Sequence, residues 1–99
     1  MQRAAKKDAN HKEIVDEFES LGFVVLDLSQ LKNCCDIVVA KNNYTVLIEI
    51  KDGSQIPSRR KLTPGEELFA LKWIQGGRWF KVENIQDVHE INHEANTHA

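Results

Sequence analysis

Cysteine is scarce in this 99-residue chain: there are two, Cys34 and Cys35, and they are neighbours. Adjacent cysteines cannot build the disulfide framework that holds small secreted domains together, so that class is excluded and a reducing cytosol fits. Zinc would need further ligands at a recognisable spacing, which leaves the pair as small packing residues beside a core or a site. Long apolar runs are missing as well. No stretch approaches the roughly 20 residues that span a bilayer, and no charged start followed by an apolar segment marks an export leader. An excess of charge of one sign is also absent. The formal net charge of -2 argues against a histone-like binder of nucleic acid, although it leaves room for a local basic surface. Repeats and low-complexity tracts are lacking too. A cytoplasmic protein with no membrane partner is expected.

What is present suffices for one compact core. With 99 residues, 41% of them hydrophobic, a second core would be hard to build. The expected organisation is a flexible basic segment over residues 1 to 7, a single domain over 8 to 91, and a disordered, histidine-containing polar tail over 92 to 99. Asp8 to Leu21 reads as a helix with Ile14, Phe18 and Leu21 on one stripe and Gly22 to end it. FVVLDL, residues 23 to 28, reads as a strand. Thr63, Pro64 and Glu66 make a helix start: a hydroxyl cap, proline at the first helical position and an acid three residues after the cap. Gly76 and Gly77 stop that helix before the strand RWFKV, and Asn84 caps a last helix through Val88 and Ile91. Trp73, Trp79 and Phe80 are assigned to core packing.

The informative segment is CCDIVVAKNNYTVLIEIKDG. Two runs rich in β-branched residues flank Asn42 and Asn43, a pair that accepts the positive φ angles of a type I′ turn, so the segment reads as a hairpin. If the two asparagines are the loop, Lys41 pairs with Tyr44, and counting back sets Asp36 opposite Glu49, with Cβ atoms about 4.5 to 5.5 Å apart. Glu49 and Lys51 share a face because side chains alternate, while Ile48 and Ile50 point the other way with Ile37, Val39 and Val46. Facing carboxylates at the rim of a buried sheet need a compensating charge. Converging oxygen ligands suit Mg²⁺, or Mn²⁺ in its place, with open positions left for water and a substrate phosphate. Glu13 and Glu17, one turn apart at the border of the first helix's stripe, are alternatives for completing such a site. Arg59, Arg60 and Lys61, in a loop with Ser58 beside the end of this strand, are suited to holding phosphates, as is Lys12.

The order helix, strand, hairpin with D…ExK, loop, helix, strand resembles the PD-(D/E)XK nuclease superfamily. Within it, DANHKEIV, CCDIVV, IEIKDG and PSRRKLTPGEELF resemble the small stand-alone virus-type replication-repair nuclease (VRR-NUC) domains of phages and prophages, over about residues 8 to 88. The resemblance implies an α/β, restriction-endonuclease-like core: a central mixed sheet of about four strands flanked by helices. It implies a homodimeric, metal-dependent endonuclease acting on branched DNA such as a four-way (Holliday) junction, in the bacterial host cytoplasm if phage-encoded. Position by position, it implies Glu13 as the helix acid, Asp36 as the acid of the PD motif, Glu49 and Lys51 as the ExK pair, and the Ile50 main-chain carbonyl as a metal ligand. Two departures stand out. Cys34 and Cys35 replace a small residue and proline, and Glu66 replaces a glutamine, which makes it an accessory position.

The expected chemistry is hydrolysis of a DNA phosphodiester, with Asp36 and Glu49 holding Mg²⁺ and Lys51 positioning or deprotonating water, or stabilising the transition state. Nucleases for flap, nicked or linear DNA would use the same residues. A catalytically silent DNA-binding or interaction module is the alternative of another class.

Overall fold

The computed structural model describes residues 7 to 98; Arg3 and Lys6 of the basic N-terminal segment lie outside them. The elements are α1 (His11–Ser20), β1 (Val24–Asp27), β2 (Ile37–Lys41), β3 (Tyr44–Ile50), a 3₁₀ turn (Pro57–Arg59), α2 (Pro64–Trp73), β4 (Trp79–Val82) and α3 (Ile85–Thr97). The four strands form one mixed sheet in the order β1-β2-β3-β4, antiparallel except for the parallel β3-β4 pair. This is the α/β architecture that the sequence implies.

The hairpin follows from its turn. Asn42 and Asn43 have φ of 54° and 63°, the positive values a type I′ turn requires at both central residues, and asparagine tolerates them better than most side chains. The register then runs from Lys41 opposite Tyr44 to Ile37 opposite Ile48, as the asparagine pair predicts. Alternation puts Ile37, Val39, Val46, Ile48 and Ile50 on one face. There Ile14 and Phe18 of α1 and Val88, Ile91 and Ala95 of α3 close over them, with Val82 of β4, to form the core. Phe18 alone, fully buried, contributes about 1.5 to 3 kcal/mol relative to exposure.

The opposite face is covered sparsely. α2 begins at the predicted cap, where the Thr63 hydroxyl accepts from the Glu66 amide and the Glu66 carboxylate accepts from the Thr63 amide. Of its ten residues only Ala70 is buried, while Leu68, Leu71 and Trp73 stay exposed. Core packing is therefore corrected for Trp73 and Phe80, while Trp79 is half-buried. Trp73 stacks on Phe69 and donates to the Arg78 carbonyl, and Phe80 on the edge strand β4 is 37% exposed.

The tail is the other correction. Residues 92 to 97 continue α3 instead of fraying, because side-chain hydrogen bonds tie them to the hairpin. Lys41 Nζ donates to Asn92 Oδ1, the Tyr44 hydroxyl to Glu94 Oε2, and Asn42 Nδ2 to the Ala95 carbonyl. Ala95 itself is fully buried. No helix among the described residues is long and apolar enough to cross a membrane.

Candidate functional site

Glu49 lies on β3 and Lys51 just beyond it, both directed to the face that α2 partly covers. Asp36 precedes β2. At Asp36 the chain departs from the ladder that the register count predicts. Its amide donates to the Ile48 carbonyl at 3.0 Å, and its carboxylate, rather than its backbone, accepts from the Ile50 amide, Oδ2 to N at 2.7 Å. Asp36 and Glu49 therefore meet through their side chains and not as a ladder pair. Because the N–H and C=O of one strand residue point toward the same neighbouring strand, the Ile50 carbonyl also lies on the Asp36 side.

Glu49 is 4% exposed. Burial pushes its carboxyl pKa well up, a hydrogen bond to Asp36 and the negative charges of Asp36 and Glu66 push it further, and Lys51 only partly offsets them. Lys51 thus offsets only part of the charge that this pair gathers. Among the described residues no three His, Cys, Asp or Glu side chains are arranged to hold a metal ion. The donors here are two carboxylates with a main-chain oxygen on the same side. That set suits Mg²⁺, which binds through one or two carboxylates and keeps several waters, and Mn²⁺ equally.

The Lys51 ammonium is 2.9 Å from Glu66 Oε1, with the two side chains 12% and 22% exposed. Burial works against the charge of Lys51, but the hydrogen bond and charge of Glu66, helped by Glu49 and Asp8, outweigh it and raise the pKa. Glu66 shows the reverse balance: burial raises its pKa, while the Thr63 amide, Lys51 and a side-chain hydrogen bond with Glu49 bring it below its ordinary value. Glu66, an accessory position by sequence, thus pairs with the lysine of the ExK motif and lines a cleft with its acid.

α1 packs on the Ile48 and Ile50 face, so its acids do not share the face of Glu49 and Lys51. Glu13 is exposed on the first turn, and Glu17 pairs with His89 of α3 at 2.7 Å. The acid that approaches from this end of the chain is Asp8. Its carboxyl is raised by burial and feels the charges of Lys51, Asp36, Asp52 and Glu66. No spacing in the sequence points to Asp8. It is brought there because Asn10 Nδ2 donates to the carbonyls of Lys51 and Glu83, pinning the start of α1 to the ends of β3 and β4.

Two recesses flank the site. A cleft of about 200 Å³ is lined by Ser29, Asn33, Cys34, Cys35, Asp36, Glu49 and Glu66, among others. The two thiols are free, their sulfurs 3.9 Å apart. A wider bowl of about 590 Å³ is lined by Lys7, Asp8, Ala9, Asp52, Gln55 and Arg59. Arg59 lines this bowl, and Ser58 and Lys61 beside it in sequence are exposed. The other two predicted cations are engaged within the protein: Arg60 donates to the Gln55 carbonyl and pairs with Glu83, and Lys12 pairs with Asp16 on α1. A further recess, about 600 Å³, lies at the other end of β3 between Leu47 and the end of α2, away from the acids.

A search of family models and of curated proteins gave no match. Among solved structures, one described as "VRR_NUC domain" superposes with a TM-score of 0.61 over 89% of this chain and 91% of its own, at 19% sequence identity. The fold is therefore that of a VRR-NUC domain.

Proposed function

We propose that this chain is a metal-dependent nuclease that hydrolyses DNA phosphodiesters, with branched DNA such as a four-way junction as its preferred substrate. The observation that carries the reading is the convergence of Asp36, Glu49 and Lys51 at one end of β3, in a fold shared with a VRR-NUC domain.

Asp36 and Glu49, with the Ile50 carbonyl beside them, would hold Mg²⁺ or Mn²⁺. Bound there, a divalent ion supplies Lewis-acid polarisation of the phosphate and a more acidic water. The chain's own residues do the rest. Asp36 keeps one carboxylate oxygen on the Ile50 amide, which fixes the direction of the other. Lys51 presents an ammonium beside the acid pair, where it orients water or stabilises the charge that develops on the phosphate. Arg59 and Lys61, exposed beside the site, would hold the backbone near the cut. Contacts of that kind give salt-sensitive binding with little base preference. Symmetric incision of a junction needs two such sites, which a twofold homodimer supplies.

The test is a panel of junction, flap, nicked, linear and single-stranded DNA, incubated with Mg²⁺, Mn²⁺ or chelator. The expected outcome is cleavage that needs the metal, is fastest on the junction, and is abolished in Glu49→Ala and Lys51→Ala with binding retained. Wild-type rates in both variants would overturn the site. Equal rates on all substrates would overturn the junction preference alone.

A further inference from the structure

We propose that Glu66 is a positioning residue that sets the place of the Lys51 ammonium, tying this reactive group to the N-terminal cap of α2. The inference rests on the proposed nuclease reading and adds to it a residue that the D…ExK pattern does not contain.

Lysine carries its charge on a flexible four-carbon stem, so a lysine at the end of a strand has no fixed head unless something holds it. The Lys51 backbone is held: its amide donates to the Val82 carbonyl and its own carbonyl accepts from Asn10 Nδ2. Neither contact constrains the stem. The head is fixed by Glu66 Oε1 at 2.9 Å, and that oxygen is itself fixed, since it accepts from the Thr63 amide, also at 2.9 Å. The Glu66 amide returns a hydrogen bond to the Thr63 hydroxyl at 3.2 Å. One carboxylate oxygen thus closes the helix cap and places the ammonium. Glu66 also lines one cleft with Asp36 and Glu49, so the oxygen that places the ammonium stands beside the acids.

If the role is positional, what matters is an acceptor oxygen at this point, and glutamine supplies one in Glu66→Gln. Alanine in Glu66→Ala supplies none. The experiment compares kcat and KM on the best substrate for the wild type, Glu66→Gln, Glu66→Ala and Thr63→Ala, together with the ¹⁵N signal of the Lys51 ammonium in the absence of DNA. Thr63→Ala breaks the other half of the cap and leaves Glu66 in place, so it reports the cost of a weakened helix start alone.

The expected result is a kcat lower by on the order of 10- to 100-fold in Glu66→Ala, the scale of a misplaced reacting group, with KM little changed. Glu66→Gln should restore most of kcat. The ammonium signal should be protected from exchange in the wild type and Glu66→Gln and lost in Glu66→Ala. Thr63→Ala should melt earlier but keep its kcat. A wild-type kcat in Glu66→Ala overturns the proposal, as does an equal loss in Thr63→Ala. A wild type that cuts no substrate removes the nuclease reading and this role with it, and the ammonium signal still shows whether Glu66 holds Lys51, so the two failures are told apart.

Discussion

The Asp36 carboxylate accepts the Ile50 amide proton at 2.7 Å, in place of the backbone contact that a continued ladder would have supplied. A candidate metal ligand therefore also satisfies a main-chain donor of a buried residue. Asp36→Ala should leave that donor unpaired and cost about 1 to 3 kcal/mol, whereas Asp36→Asn keeps an acceptor and should cost much less. Both should lose cleavage. Chemical denaturation of the two variants checks the difference; equal stability would mean that the carboxylate does not support the strand.

Glu49 should trade stability for chemistry. Its folded-state pKa is raised by burial and by Asp36, so its contribution is favourable below the ordinary carboxylate value and is lost as pH rises. Glu49→Gln, of the same shape and uncharged, should be more stable than the wild type at pH 7 by on the order of 1 kcal/mol, with the gap closing below about pH 4. Added Mg²⁺ should raise the melting temperature of the wild type and leave that of Glu49→Gln unchanged. A wild type with no Mg²⁺-dependent shift at millimolar metal would count against the acid pair as its ligands.

Asp27 shows the opposite sign. Burial alone would raise its carboxyl pKa, but the hydroxyl and amide of Ser29 and the ammonium of Lys7 hold it well below the usual range. The stabilisation is complete above about pH 4, the unfolded value, and is lost as pH falls toward the folded one. Urea midpoints of the wild type and Asp27→Asn should differ most near neutrality and converge on acidification. A gap that stays constant from pH 7 to pH 3 would contradict this.

The last turns of α3 should matter to the fold. Ending the chain at Ile91 removes the α3 partners of Lys41, Asn42 and Tyr44 and the buried Ala95, at a cost of about 1 to 3 kcal/mol. Thermal denaturation of the shortened chain reads the loss. An unchanged melting temperature would show that these turns only decorate the surface.

Much of this was legible in the residues, where local chemistry decides the outcome. Asn42 and Asn43 determine the turn and hence the register, and Thr63, Pro64 and Glu66 determine the start of α2, because turns and caps are governed by a few neighbouring groups. What escaped depends on contacts between distant segments. The packing of α1 decides that Glu13 is exposed, that Glu17 pairs with His89 and that Asp8 comes near Lys51, and α1 is anchored by Asn10 reaching across 41 and 73 residues of sequence. The order of residues 92 to 97 depends likewise on partners 51 to 53 residues away, which a polar composition hides.

The sheet keeps its large fully buried side chains on one side, under α1 and α3, and its acids and Lys51 on the other, beneath a helix that buries only Ala70. Folding and chemistry therefore draw on largely separate sets of residues. A lineage with this plan has latitude: the α2 side can accept substitutions while the scaffold beneath stays intact.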